Sequence, residues 1–336
     1  MRLHLTGMVA AVLLAACQPT ARHSLENAAH ISPMHPDCAA IRSAGAEDPP
    51  ATDPVPVPFE GSRLRVLALG DFGDGSADQE AVADAMAAYQ TLHRDTPISF
   101  GLTLGDNFYS EGLQDRQIPW KELWEDKYAQ LGFLFFASLG NHDYSDATPE
   151  QELAYSSQSW CLPRHFYTFT AGPVQFFALD TQPLVNSRGD EQQLAWLDKA
   201  LGQSQARWKV VYGHHPILSN GSHGDDPEIE RLRNRLLPRL RGRATLYLTG
   251  HDHDLQRLML DGVHLVIAGA GGHDVRPLRL TPSAGQWGVG KTPGFAVLEA
   301  SDQQLTIQLI DKNQNALCTL NIHQDGGFDN TGCRSN

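Results

Sequence analysis

Five times in this chain a short apolar run ends in Gly, and the next residue is one able to ligate a metal ion. The runs end in Leu69-Gly70-Asp71, Leu104-Gly105-Asp106, Leu139-Gly140-Asn141, Tyr212-Gly213-His214 and Thr249-Gly250-His251. Apolar runs of this length, flanked by helical patterns, read as buried strands of a mostly parallel sheet. Open α/β sheets place ligands at the carboxyl ends of their strands, where Gly lets the backbone turn sharply. A lone Gly-Asp after a strand is usually only a turn, and Asn141-His142-Asp143 could be one too. His251-Asp252-His253 says more, because imidazoles at i and i+2 of an extended segment point the same way. Five such strand ends together point to a site for two metal ions.

Composition fits an enzyme of that size and narrows its partners. The 336 residues suffice for one large domain or two ordinary ones, and 41% apolar content supports a full core. The formal charge is −13; removing residues 1–16, whose one charged side chain is Arg2, takes it to −14. That balance argues against nucleic-acid binding.

The N-terminus carries an address. Arg2 and His4 precede an apolar stretch, Met8 to Ala16, too short to span a bilayer. It ends in Leu14-Ala15-Ala16-Cys17, similar to a bacterial lipobox, in which Cys is lipidated and becomes the first mature residue. The expectation is a signal peptide over residues 1–16 and an exported protein, anchored through Cys17. Gln18 in the next position suits the outer membrane of a Gram-negative cell, facing the periplasm or exterior. Apart from Cys17 there are Cys38, Cys161, Cys318 and Cys333, an even set compatible with two disulfides in an oxidising compartment. Of the three pairings, Cys318–Cys333 with Cys38–Cys161 is favoured, the second tying the N-terminal segment to the domain. No CxxC pair suggests structural zinc.

Residues 17–58, rich in Pro and small polar residues, read as an extended tether. The domain is expected over 59–323, with a C-terminal tail at 324–336. Ser76 and Gln79 signal a capping box leading into Val82, Met86 and Tyr89 on one helical face. Pro119–Leu131, Asp190–Leu201 and Pro227–Leu240 also read as helical, the last interrupted near its end by Pro238. Val263–Ala268, Phe295–Glu299, Leu305–Ile310 and Leu317–Ile322 read as strands, and the whole suggests two packed sheets flanked by helices.

The set Gly70-Asp71-Phe72-Gly73, Gly105-Asp106-Asn107-Phe108-Tyr109, Gly140-Asn141-His142-Asp143, Gly213-His214-His215-Pro216 and Gly250-His251-Asp252-His253 resembles the metallophosphoesterases, and within them the purple acid phosphatases of tartrate-resistant type. Connecting pieces such as Gln193-Leu194-Ala195-Trp196-Leu197 and Ile267-Ala268-Gly269-Ala270-Gly271 share the likeness. It implies a four-layer α-β-β-α sandwich of two mixed sheets. Many metallophosphoesterases have an Asp-x-His first motif; here Gly73 takes the place of that His, and Tyr109 stands where the purple enzymes have their replacement ligand. A phenolate needs a strong cation, since free Tyr titrates at about 10, and this points to Fe(III).

By resemblance Asp71, Tyr109 and His253 hold the Fe(III), while Asn141, His214 and His251 hold a second divalent ion (Fe, Zn or Mn) and Asp106 bridges the two. His142 and His223 match the outer histidines that bind phosphate, His142 also protonating the leaving oxygen. The resemblance implies an acid phosphatase acting on small phosphate monoesters, with a metal-held hydroxide as nucleophile. A phosphodiesterase or nucleotidase with the same centre, or a noncatalytic phosphate-binding lipoprotein, is the alternative. Phe72 departs from the Trp often found in the first motif, and His215 stands where many relatives have Tyr or another residue; both bear on pocket shape. Asp143 is expected to support the ligands, and no motif claims His165, His264, His273 or His323.

Overall fold

The computed structural model describes residues 38–44, 49–59, 61–110, 113, 116–186 and 190–333. The chain divides into two units, Met1–Ile31 and Ser32–Asn336, and every described residue falls in the second. The apolar leader and Cys17 lie outside the described residues.

Helix α1 (Cys38–Ala44) and strand β1 (Val55–Pro56) open the fold. Then come β2 (Leu64–Leu69), α2 (Ala77–Leu92) and β3 (Phe100–Thr103). A π turn (Lys121–Glu125), α3 (Asp126–Tyr128) and a 3-10 turn (Ala129–Leu131) lead to β4 (Phe135–Phe136). Next are α4 (His142–Ser145), α5 (Pro149–Ala154) and β5 (Trp160–Cys161). The middle of the chain holds β6 (Tyr167–Ala171), β7 (Val174–Ala178), α6 (Thr181–Val185), α7 (Glu191–Gln203), β8 (Trp208–Tyr212) and α8 (Pro227–Leu240). Strands β9 (Leu246–Thr249), β10 (Leu255–Leu260), β11 (Val263–Ala268) and β12 (Trp287–Val289) follow. The chain finishes with β13 (Gly294–Ala300), β14 (Gln304–Asp311), β15 (Ala316–His323) and β16 (Phe328–Thr331).

The strands form two mixed eight-stranded sheets, ordered β1-β6-β7-β8-β9-β11-β10-β12 and β16-β15-β14-β13-β2-β3-β4-β5. The five Gly-ending runs are therefore divided. Three sit in one sheet, on or just beyond β2, β3 and β4, and two in the other, on β8 and β9. Alternation along β8 and β9 explains the layering. Val210, Tyr212, Leu246 and Leu248 face the core between the sheets, whereas Val211 and Tyr247 face Leu194, Leu197, Leu232 and Leu236 of α7 and α8. Such strands carry apolar residues toward both sides because both faces are covered. On the opposite side α2 covers the second sheet, its Tyr89 ring meeting Phe295 edge-on. The result is the expected four-layer sandwich.

Ser76 caps α2 by accepting from the Gln79 amide at 3.1 Å, while Gln79 Oε1 accepts from Gly75 N rather than from Ser76. Pro238 lies inside α8 without ending it. It sits in the last turn, so the missing N–H costs one bond only two residues before the helix stops. The third apolar run is strand only at Phe135–Phe136, yet Ala137 N still donates to Cys161 O and Ser138 N to Thr103 O.

The folded unit extends beyond 59–323 at both ends. Residues 38–44 are helical rather than extended, and the Cys38–Cys161 disulfide joins that helix to β5. β1 pairs in parallel with β6, and its Pro56 is tolerated because the strand lies at a sheet edge. In the expected tail, β16 pairs with β15, closed by the Cys318–Cys333 disulfide. Proline content argued against a central strand but not against an edge strand, and covalent links make short elements stable.

Candidate metal centre

Register brings the strand ends together. β2 and β3 run parallel with Leu69 beside Thr103, and β8 and β9 with Tyr212 beside Leu248. The two sheets join at this end through Gly70 N donating to Ala268 O and Gly271 N to Gly70 O. Glycine is required by crowding. A Cβ on Gly140 would lie 2.2 Å from Asp106 Oδ1, and one on Gly250 would lie 2.3 Å from Asp71 Oδ2. Immediately after three of these glycines, Asp71, Asp106 and His251 adopt φ of 60°, 50° and 72°. Left-handed backbone costs an L-residue roughly 1–2 kcal/mol, so the surrounding structure holds each side chain against that strain.

Two clusters of donor atoms result, and they share one oxygen. In the first, Tyr109 Oη lies 3.2 Å from Asp106 Oδ2, 3.4 Å from Asp71 Oδ1 and 3.4 Å from His253 Nε2. In the second, Asn141 Oδ1 lies 3.1 Å from both His214 Nε2 and His251 Nδ1, and those two nitrogens are 3.2 Å apart. Asp106 Oδ2 is also 3.3 Å from His214 Nε2. Donors about 2.0–2.2 Å from one ion sit roughly 3–3.5 Å from each other. The residues therefore fit two ions with Asp106 between them.

The other ring atoms fix the tautomers. His214 Nδ1 donates to Leu104 O at 2.9 Å and His253 Nδ1 to Asp274 O at 3.1 Å, so each turns its Nε2 inward. Burial, then the neighbouring imidazoles, holds His251 well below the usual histidine range. Burial, then Arg276, brings His253 down to about 3. Both are thus neutral, the ligating form. Burial works against charge on His214 as well, but the Asp106 carboxylate outweighs it and takes that group up to about 9. Burial raises Tyr109 far above its ordinary value, and the Asp106 and Asp71 carboxylates raise it further. Only a strongly charged cation makes a phenolate there.

Both expected outer histidines flank these clusters. His142 stacks obliquely on Tyr109 at 4.6 Å, its Nδ1 is 2.6 Å from Asp146 Oδ2, and its backbone N–H donates to Asp106 Oδ1. His223 lies 4.4 Å from the His251 ring, with Nδ1 2.7 Å from Asp226 Oδ2. Asp143 accepts from the amides of Gly140, Asn107 and Phe108, fastening two motif loops together.

Three residues near the centre escaped the sequence reading. The His273 ring stacks on Tyr109 at 3.6 Å and pairs with Asp74, although no motif claims it. Arg276 Nη1 donates to His223 Nε2 at 3.2 Å. Glu152 joins Asn107 Nδ2 at 2.9 Å, and its burial pushes it well above the usual carboxylate range. Position after Ile267-Ala268-Gly269-Ala270-Gly271 was a signal for His273 and Arg276, since that segment hydrogen-bonds directly to the strand end at Gly70. Nothing in the sequence marks Glu152. His165, by contrast, pairs with Asp180, and His264 lies beside Phe328.

Comparison with known proteins agrees. Residues 64–255 match the model of the calcineurin-like phosphoesterases. Human tartrate-resistant acid phosphatase type 5 is 30% identical over 292 residues, covering 76% of this chain and 89% of that one. Purple acid phosphatase 17 of Arabidopsis thaliana is 30% identical over 260 residues, covering 68% and 75%. In fold, a purple acid phosphatase from yellow lupin (Lupinus luteus) seeds superposes with a TM-score of 0.60 at 16% identity, covering 80% of this chain and 55% of that one. Five motifs converging at the seam of two sheets, and relatives matched along most of their length, make this chain a member of the calcineurin-like phosphoesterase family, in its purple acid phosphatase branch, and a metal-dependent phosphatase.

Proposed function

We propose that the protein is an exported phosphomonoesterase working at acidic pH, with Fe(III) held by Asp71, Tyr109 and His253 and a divalent ion (Fe, Zn or Mn) held by Asn141, His214 and His251. Asp106 bridges them, and one observation carries this reading: its Oδ2 lies within 3.3 Å of donors in both clusters. The bound ions supply Lewis acidity, charge for the phosphate oxygens and acidification of solvent.

The protein's own groups do the rest. Asp146 holds the Nδ1 proton of His142, leaving its Nε2 for the substrate side, and Asp226 holds that of His223, whose Nε2 accepts from Arg276. His142 gives a proton from Nε2 to the departing oxygen, and His223 positions the phosphoryl group together with Arg276. An additional guanidinium suits the dianion of a monoester better than the monoanion of a diester. The same outer groups argue against a noncatalytic metal site, which would have no use for them. A small phosphate ester is the expected partner, and nucleic acid is disfavoured by the net charge of −13.

Export is supported by the two disulfides, which belong in an oxidising compartment. Among the described residues no helix is long and apolar enough to cross a membrane. Attachment would then be through lipid on Cys17, and Cys17→Ser should release the protein from the membrane fraction. Turnover of p-nitrophenyl phosphate and bis(p-nitrophenyl) phosphate by metal-loaded protein, between pH 4 and 8, tests the activity. A monoester preference with an acidic optimum is expected. Preference for the diester would support a phosphodiesterase, and no turnover of either would support the noncatalytic reading.

A further inference from the structure

Beside the second cluster lies a histidine that the metal assignment leaves unused. His215 is fully buried, and its Nε2 has no hydrogen-bond partner among the described residues. A buried polar atom left unpaired costs about 1–3 kcal/mol, so an orphan at this position needs a reason. Its surroundings give one. The His215 ring centroid is 4.8 Å from that of His214 and 4.5 Å from that of His251, and those two are 5.0 Å apart. Three imidazoles sharing one ion at metal–nitrogen distances of about 2.1 Å have ring centroids roughly 5 Å apart. Ring nitrogens of the three residues lie within 4.8 Å of one another.

The remaining atoms of His215 are held as those of a metal-bound histidine are. Nδ1 is 2.8 Å from Thr181 Oγ1, and the same oxygen accepts from the His215 backbone N–H at 3.0 Å. A hydroxyl oxygen has two lone pairs and can take both donors, and in that tautomer Nε2 is a bare lone pair. This is the arrangement seen at His214, where Leu104 O takes the Nδ1 proton. Thr181 is in turn fixed at the start of α6, on the strand end that packs beside Gly213.

We propose that His215 Nε2 is a further donor to the second ion, beyond Asn141, His214, His251 and the bridging Asp106. The proposal rests on the dinuclear reading above and sharpens it. A third imidazole makes that half of the centre strongly nitrogenous, favouring zinc or Fe(II) over manganese, which prefers oxygen donors.

Zinc-edge X-ray absorption of the iron–zinc protein, with metal analysis per chain, tests it. Three imidazoles per zinc are expected in the parent and two in His215→Phe, which keeps a ring of similar size. The variant should also yield its zinc to a chelator at affinity at least about 100-fold weaker, more than the 10–100-fold typical of losing an outer-shell partner, while keeping its iron. Thr181→Val should retain three imidazoles and lose affinity within that smaller range. A parent with two ions but only two imidazoles at zinc overturns the proposal alone. A parent that binds fewer than two ions overturns the dinuclear reading itself. If His215→Phe does not fold, the imidazole count in the parent still decides.

Discussion

The two halves of the centre are built from opposite chemistry on neighbouring strand ends. Asp71, Tyr109 and Asp106 surround the first with oxygen, His253 adding one nitrogen; Asn141 alone supplies oxygen to the second besides Asp106, and imidazoles fill the rest. Hard oxygen donors suit a trivalent ion, and nitrogen suits borderline divalent ones. The division follows the sheets only partly. Asp71 and Tyr109 come from the loops after β2 and β3, while His251 and His253, on one loop after β9, serve different halves. A single short loop thus reaches both adjacent clusters through its i and i+2 side chains.

Breaking the bridge should have the largest effect. Asp106→Ala removes the oxygen common to both halves, so both ions should be lost and turnover should fall by at least about 10³-fold, equivalent to roughly 4 kcal/mol. Elemental analysis alongside kinetics checks this; near-native activity in a two-metal variant would dissolve the link between the halves. A smaller and more selective effect is expected outside them. His142→Ala should lower turnover about 10²–10³-fold for alkyl phosphates, whose leaving groups need a proton, and much less for p-nitrophenyl phosphate. Equal losses would remove His142 as the donor.

The smallest effect separates the centre from the rest of the fold. His253 and His264 are both pushed down by burial and then by an arginine, to about 3 beside Arg276 and about 4 beside Arg257. A bound metal ion would keep His253 neutral in any case, but His264 on β11 lies outside both clusters. In the unfolded chain it takes a proton near 6.5, and in the folded protein not until about 4. Stability is therefore present above 6.5 and declines as pH falls from about 6.5 to about 4. His264→Gln should flatten that decline by about 1–2 kcal/mol, allowing for its partial exposure to solvent. Urea midpoints of the metal-loaded protein at pH 7 and 4.5 give the number. An unchanged slope would mean that acid acts through the centre alone.

The sequence made the centre more legible than its surroundings. Gly-ended apolar runs declare strand ends directly, because crowding at Gly140 and Gly250 excludes any side chain. The alternation that assigns Val211 outward and Val210 inward is invisible in sequence, since both faces are covered and Val210, Val211 and Tyr212 are all apolar. Residues 17–58 looked like a tether because proline content reports what cannot form, whereas α1 and β1 depend on a partner strand and a disulfide far along the chain. His273 and Glu152 were hidden for a similar reason. Each reaches the centre by packing against residues distant in sequence, Tyr109 in one case and Asn107 in the other.

The distinction between an oxygen-rich and a nitrogen-rich half is tested most directly by the visible spectrum of the oxidised, metal-analysed protein beside that of Tyr109→Phe. An Fe(III)–tyrosinate in the first half predicts two ions per chain, one of them iron, with a tyrosinate-to-iron charge-transfer band that the substitution abolishes while the second ion stays. A colourless protein with iron confirmed in that half, or a band that survives in Tyr109→Phe, would contradict it.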